Sequence, residues 1–270
     1  MKTHNLIFLL IIFGGRVVAQ NTTFESSLSK INVKVDSLLK KLTTMVITEE
    51  EKKGLKTLGY LIQNEGLLQG DSFQNYTKSL ELVNTALSIW TALNDTLNEA
   101  NNRKYKGLLH GHLNNFREAK TQIEYAIKLF SGKKALWGVA VSHFDLSKVY
   151  EIENKLDSAL IYNRYARLYW NSTVDTGRIL INNNQAINIY YRLNDLPNAL
   201  LIQKSTAPLL KKSNLHWQNV LDFNFLSYIL YHRLNDKILS ASFQRLYKNK
   251  LPERKQLGVT VKSIYEKADN

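Results

Sequence analysis

No cysteine occurs anywhere in this chain of 270 residues, which excludes disulfides and cysteine-ligated metal sites. Stability must then come from packing alone. Proline appears only three times and glycine twelve times, so few positions interrupt regular structure and long helices are favoured. Acidic residues are in deficit: 23 Asp and Glu face 36 Lys and Arg, a net charge of +13. That balance suits an acidic protein, an anionic membrane surface or a polyanion as partner, or simply marks a basic soluble protein. Past the N-terminus no apolar run approaches the ~20 residues that a membrane-spanning helix requires. Also absent are the G-x-x-x-x-G-K-S/T phosphate loop, the G-x-S-x-G elbow and the H-E-x-x-H zinc helix. Of the six histidines only His110 and His112 are close in sequence, and two positions apart on a helix they point in nearly opposite directions. Neither catalysis nor a metal or cofactor site is therefore expected.

The N-terminus is the first positive feature. Met1-Lys2-Thr3-His4 is basic, Leu6 to Phe13 is an apolar run, and Val17-Val18-Ala19 places small residues before Gln20. A basic start, a short apolar stretch and a small-residue cleavage site are the parts of a secretory signal. The run is too short to span a bilayer. Residues 1–19 are expected to be removed, and the loss of Lys2 and Arg16 with them leaves +11. An exported chain without disulfides fits a bacterial periplasm, cell surface or secreted location better than a eukaryotic secretory route. Within residues 20–47, Phe24, Leu28, Ile31, Val35, Leu38, Leu42 and Met45 recur at helical spacing and predict one amphipathic helix. It either packs on the next helices of the chain or forms a coiled-coil seam, and the shortness of the stripe favours packing. Thr48 and Glu51 carry the signature of a capping box that opens the next helix.

Small residues then recur with a strict period. Ser79, Ala119, Ala159, Ala199 and Ser240 stand 40, 40, 40 and 41 positions apart. Seven positions after each lie Ala86, Ala126, Ala166, Thr206 and Tyr247; nine before each lie Gly70, His110, Tyr150, Tyr190 and Tyr231. Between the two, an Asn keeps one phase as Asn114, Asn154, Asn194 and Asn235. Asn tolerates the left-handed conformation that ends a helix and turns the chain back. Small residues seven apart share a helix face and let an antiparallel neighbour approach. The tyrosine packs its ring between helices with its hydroxyl near water. These columns predict about five helix–turn–helix units across residues 48–251. Pro252, suited to a first helical turn, is expected to open a C-terminal capping helix or half repeat over 252–270.

The spacing Tyr150, Ala159, Ala166 resembles the tetratricopeptide repeat, and Gly107, Ala119, Ala126 likewise matches its Gly and two Ala positions. The resemblance covers residues 55–250 and is strongest over 101–200. The unit here is longer than the ~34 residues usual for that repeat. The extra residues are expected in the connections, such as Ser131-Gly132-Lys133-Lys134 and Asn171-Ser172-Thr173-Val174-Asp175. The resemblance implies an all-α fold, an α-solenoid of antiparallel helix pairs winding into a superhelix. It implies protein–protein interaction through a concave groove rather than catalysis. Larger bacterial sensor proteins similar to this carry such an exported region ahead of a membrane span and a signalling domain, so an input region cut off from one is an alternative.

In the family, the groove is lined by first-helix positions 15, 11, 8 and 7 before the small-residue column. Here they read Lys104, Leu108, Gly111 and His112; Phe144, Lys148, Glu151 and Ile152; Asn184, Asn188, Tyr191 and Arg192; Phe225, Ile229, His232 and Arg233. Asn184, Asn188, Tyr191 and Arg192 are the main candidates, with Lys148 and Lys104 beside them. Amide and phenol groups hydrogen-bond an extended peptide, and arginine pairs a carboxylate. A family variant grips C-terminal carboxylates with Lys and Asn; Lys104 matches one position, but Leu108 stands where the Asn belongs, and that activity is not carried over. A second candidate is the basic stretch Arg233, Lys237, Arg245, Lys248, Lys250, Arg254 and Lys255, suited to an anionic membrane surface, an acidic protein or another polyanion. Nucleic acid is disfavoured, because an exported protein seldom meets it and no base-reading motif is present. The expected partner is a protein or peptide.

The N-terminal reading predicts that the mature chain begins at Gln20. The intact mass and N-terminal sequence of protein recovered outside the cytoplasm check this, and a cytosolic product retaining Met1 would refute it.

Overall fold

The structure is a computed structural model of the chain. It describes residues 48–173, 175–211 and 215–256, with side chains as far as residue 249, and Ser37 and Lys40 ahead of them. The expected signal segment 1–19, the rest of the amphipathic stretch 20–47 and residues 257–270 lie outside the described residues.

Every regular element among the described residues is helical. In chain order they are α1 (Glu49–Leu67), which passes into a π-helical turn (Leu68–Ser72), α2 (Tyr76–Ala92), α3 (Thr96–His112), α4 (Phe116–Gly132) and α5 (Leu136–Ile152). Then follow α6 (Leu156–Thr173), α7 (Thr176–Arg192), α8 (Leu196–Thr206), which tightens into a 3-10 turn (Ala207–Lys211), α9 (Trp217–Arg233) and α10 (Lys237–Gln256). The chain forms two compact units, one ending at Ala135 and the other beginning at Leu136. In the first, α1 packs on α2, α2 on α3 and α3 on α4. In the second, α5 packs on α6, α7 on α8 and α9 on α10, while α7 also meets α6 and α9. The expected all-α arrangement of consecutive helix pairs is what the chain adopts.

One turn builds most of these pairs. Asn94, Asn114, Lys134, Asn154, Asn194 and Asn235 all have φ between 54° and 62°. At the end of α3, Asn115 donates its backbone N–H to the His110 carbonyl (2.8 Å) and Asn114 donates to Gly111 (3.0 Å). These two bonds are the Schellman pattern that satisfies the last carbonyls of a helix. The residue that closes the pattern is also the N-cap of the next helix: Ala119 donates back to the Asn115 carbonyl at 3.0 Å. Asp95 and Asp195 do the same and add a side-chain cap, to Asn98 and Asn198, each at 3.2 Å. Asn was expected at four of these turns. The turns after α2 and α4 use the same geometry, so over residues 76–152 the structure repeats at half the sequence period. α2, α3, α4, α5, α7 and α9 are each 17 residues long. The residues beyond the usual repeat length therefore lengthen the helices, not the connections: Ser131 and Gly132 end α4, and Asn171 to Thr173 end α6.

Irregularities have local causes. Pro208 lacks an N–H, and α8 gives way to the 3-10 turn at the residue before it. The separate helix expected from Pro252 does not start there, because α10 runs on through Leu251 and Pro252 to Gln256. The capping box at Thr48 is present, with Glu51 N–H donating to Thr48 Oγ1 (3.2 Å) and Thr48 N–H to Glu51 Oε2 (2.9 Å).

Both small-residue columns are buried from end to end. Gly107 shows why. A Cβ there would lie 2.6 Å from the Ala119 carbonyl oxygen and 2.5 Å from Ile123 Cγ1. In the third pair the same crossing carries Ser147, whose hydroxyl donates to the Ala159 carbonyl at 2.7 Å. Ser79 reaches across the first pair to Gly66 O at 2.6 Å. The aromatics before the turns pack as expected, with Tyr150 stacked on Tyr162 at 5.2 Å. Tyr231 departs from expectation: its hydroxyl turns inward and donates to Gln203 Oε1 at 3.0 Å. Trp90, Phe130 and Trp170 hold the matching place at the ends of the second helices and are buried.

Two glycines test this crossing against each other. Gly→Ala inside a helix gains about 0.5–1 kcal/mol when nothing opposes the methyl. Gly54 has nothing within 4 Å of its added Cβ, so Gly54→Ala should raise the thermal midpoint. Gly107→Ala should lower it, since overpacking against backbone costs about 1–3 kcal/mol. A Gly107→Ala chain as stable as the parent would show that the helices do not approach closely there.

Candidate protein-binding face

Five of the residues from 182 to 188 in α7 are Asn or Gln. In a helix exposed on one side they would simply be its solvated face. Here the first three are buried and each points to a different neighbour. Asn182 Nδ2 donates to Asn163 Oδ1 of α6 (3.0 Å), and Asn163 Nδ2 donates back to the Asn182 carbonyl (3.0 Å). Asn183 Nδ2 donates to Thr206 Oγ1 of α8 (2.9 Å). Asn184 Nδ2 donates to the Asn219 carbonyl of α9 (2.9 Å). One turn of α7 is thereby tied to the helix before it, its own partner and the pair after it.

The next turn makes a second network. Glu151, near the end of α5, accepts from Gln185 Nε2 at 3.0 Å, from Asn188 Nδ2 at 2.7 Å and from Arg192 Nη1 at 3.2 Å. Arg192 Nη2 also donates to Asn154 Oδ1 at 2.8 Å. Only 17 % of the Glu151 side chain is exposed. Hydrogen bonds to a charged acceptor contribute about 1.5–3 kcal/mol against about 1 for neutral ones, so this carboxylate is a strong link between α5 and α7. Beside it, Arg233 of α9 lies 5.1 Å over the ring of Tyr191. Lys148 lies 4.7 Å from the Phe144 ring centroid and 4.0 Å from Asp145. The ends of α5, α7 and α9 thus form a strip with three cations, one ring and a largely covered carboxylate.

The expected groove residues divide along this line. Tyr191 is half-buried and Arg192 exposed, both on the strip. Asn188 is half-buried and committed to Glu151. Asn184 is not on an open groove at all: 7 % of it is exposed, and it serves packing between pairs. Phe144 and Phe225, at the matching position of their helices, are buried too. The reason is helix length. In a 17-residue first helix the neighbouring helices cover the middle turns, such as Asn182 to Asn184 of α7, and the chain is exposed again only at Arg192. Lys148 joins the strip, while Lys104 belongs to the other compact unit, half-buried and already engaged. Of the basic stretch, Arg233 lies on the strip, and Lys237, Arg245 and Lys248 are exposed on α10. The side chains of Lys250, Arg254 and Lys255 lie outside those described. His112 is exposed and stacks on Tyr76 at 4.5 Å, whereas His110 is half-buried and burial lowers its pKa. Among the described residues no group of three or more His, Cys, Asp or Glu is placed to hold a metal ion.

Sequence reading placed Glu151 on the groove but missed its role. Its partners lie 34, 37 and 41 residues away. A usable signal was present: an acid near the end of one first helix, with Asn and Arg about one repeat later.

The sequence matches no family model, and no curated protein matches it. Among solved structures the fold is similar to BtubC (BKLC) from P. vanneervenii, with 13% identity and a TM-score of 0.64, covering 85% of this chain and 92% of that one. It is also similar to the apo form of RapI, again at 13% identity, with a TM-score of 0.51, covering 95% of this chain and 100% of that one. Both are helical repeat proteins, and the likeness is one of fold.

Glu151→Ala should lower the unfolding free energy by about 2 kcal/mol, since it strips the acceptor from three donors. Asn188→Ala alone should cost about 1 kcal/mol. Combined, the two should fall short of the sum by at least about 0.5 kcal/mol. Urea unfolding of the four proteins measures this, and strict additivity would show that Glu151 does not couple the two helices.

Proposed function

We propose that this chain is an exported repeat scaffold of the tetratricopeptide kind, which binds another protein through the ends of its first helices. The observation that carries the reading is the strip around Glu151. Arg192 is held in place by that carboxylate, and Arg233 is stacked on Tyr191. Side chains fixed before a partner arrives lose less conformational entropy on binding. Tyrosine and arginine are also the residue types that dominate binding energy at protein interfaces. The three cations outnumber the two carboxylates, Glu151 and Asp145, so the strip suits a segment carrying acidic side chains. The shared fold of BtubC and RapI supports a scaffold reading, and the N-terminal signal features support export to a periplasm, cell surface or medium.

A second reading rests on α10. Lys237, Arg245 and Lys248 are exposed there beside Ile238, 84 % exposed, and Leu246. A helix with exposed basic and apolar residues suits an anionic membrane surface. Binding to phosphatidylglycerol vesicles that falls with added salt and is indifferent to Tyr191 would select this reading.

Affinity capture with the mature chain, followed by titration of the recovered partner, tests the first. Tyr191→Ala with Arg233→Ala should weaken binding at least tenfold, or about 1.4 kcal/mol. The thermal midpoint should stay close to that of the parent. Unchanged affinity in the double variant would remove the strip from the interface.

A further inference from the structure

Two arginines of the strip hold the same place in consecutive repeats. Arg192 and Arg233 each stand seven positions before the small-residue column, at Ala199 and Ser240. Their helices, α7 and α9, pack on each other. Both side chains lean toward the first helix of the preceding pair. Arg192 donates to Glu151 Oε1 (3.2 Å) and to Asn154 Oδ1 (2.8 Å), and Arg233 lies 5.1 Å over the Tyr191 ring. Because the lean is in one direction, the two guanidinium groups stay about one helix step apart, and packed helices lie ~8–10 Å from axis to axis. A guanidinium has five donors, so the bonds of Arg192 to Glu151 and Asn154 leave the others for a ligand. Among the described residues no carboxylate pairs with Arg233, whose contact is the Tyr191 ring.

We infer that the strip takes a polyproline II segment of its partner, with acidic residues at i and i+3, one carboxylate on Arg192 and the other on Arg233. The inference rests on the strip being the binding surface proposed above. Spacing selects the conformation. A polyproline II helix has three residues per turn and rises ~3.1 Å per residue, so side chains three apart share a face at ~9.3 Å. That equals the helix step. A β-strand puts same-face side chains at ~6.7 Å or ~13 Å, on either side of the step. It also binds by pairing with a sheet edge, and every regular element among the described residues is helical. An α-helix reaches the step only at i+7, about 10.5 Å, and docks by burying an apolar stripe. The strip offers cations around one half-buried ring, Tyr191. That ring gives a proline beside the acid on Arg233 an apolar surface, the contact by which aromatic grooves hold Pro-rich segments. Charge agrees, since Arg192, Arg233 and Lys148 exceed Glu151 and Asp145, and a guanidinium pairs a carboxylate bidentately.

The purified full chain would be titrated into fluorescein-labelled GPPEPPEPPG, reading anisotropy. GPPEEPPPPG and GPPEPEPPPG, of the same composition with the acids closer together, and GPPQPPQPPG are the controls. GPPEPPEPPG should bind about tenfold more tightly than either acidic control, the loss expected when one charge-assisted contact is missing, and the Gln peptide should bind weakest. Arg192→Met and Arg233→Met should each abolish the preference for spacing. If Arg192→Met does not fold, Arg192→Lys serves, since lysine keeps the charge without the planar fork and should reduce the preference. Acidic peptides that bind alike, or more tightly with closer acids, while still weakened by Arg233→Met, would overturn the spacing and leave the strip as a binding surface. A preference that survives both Met variants, or no binding of any acidic peptide up to about 1 mM, would overturn the inference. The response of the captured partner to Tyr191→Ala with Arg233→Ala judges the strip separately.

Discussion

A single three-residue turn governs this protein. Its central residue is left-handed, its last residue closes the preceding helix, and that same residue opens the next one. Because the C-cap of one helix is the N-cap of the other, neither can slide or lengthen without losing capping bonds worth about 1 kcal/mol each. The left-handed conformation itself costs about 1–2 kcal/mol for most side chains and less for Asn. Asn holds five of the seven left-handed positions, and Gln74 and Lys134 hold the others. With turn and helix length both set, small residues arrive at the same depth in every pair, which is why Ala119 and Gly107 can bring two backbones together.

Between pairs the interior is more polar than within them. Asn102, Asn163, Asn182, Asn184, Gln203 and Asn224 are all buried, and Asn183 adds one buried amide within the α7–α8 pair. Their amide N–H groups find acceptors on neighbouring helices in most cases, but the carbonyl oxygens of Asn102, Asn182, Asn183, Asn184 and Asn224 accept no hydrogen bond. An amide oxygen left without any donor, water included, costs about 1–3 kcal/mol. An apolar interface of the same area would avoid that cost but would tolerate sliding of one helix along another. Amides that must meet one particular partner do not. The stability given up between pairs is offset by the apolar crossings within them, among them Trp90, Phe130 and Trp170 at the ends of the second helices.

That division of labour leaves Ile152, Arg192, His232 and Arg233 exposed at the ends of α5, α7 and α9. Glu151 of α5 holds Gln185, Asn188 and Arg192 of α7 there.

Much of the fold was legible because it rests on local rules. Asn114, Asn154, Asn194 and Asn235 were recognisable as turn residues since left-handed backbone restricts residue type. The Ala and Ser columns were recognisable because a helix crossing restricts size. The left-handed positions at Gln74 and Lys134 were hidden, because side chains that tolerate a conformation without being selected for it leave no pattern. The site was less legible. Nothing along the chain separated Asn184, which is buried under α9, from Tyr191, which is open, since both satisfy the same face periodicity. Nor did sequence connect Glu151 with Arg192, or Trp137 with Arg178, across a full repeat. The chain by itself determined helix, turn and pairing, which depend on backbone conformation and on neighbours a few residues away. Only the tertiary structure decided which polar side chains are used up in packing and which remain for a partner, because that depends on how successive helix pairs cover one another.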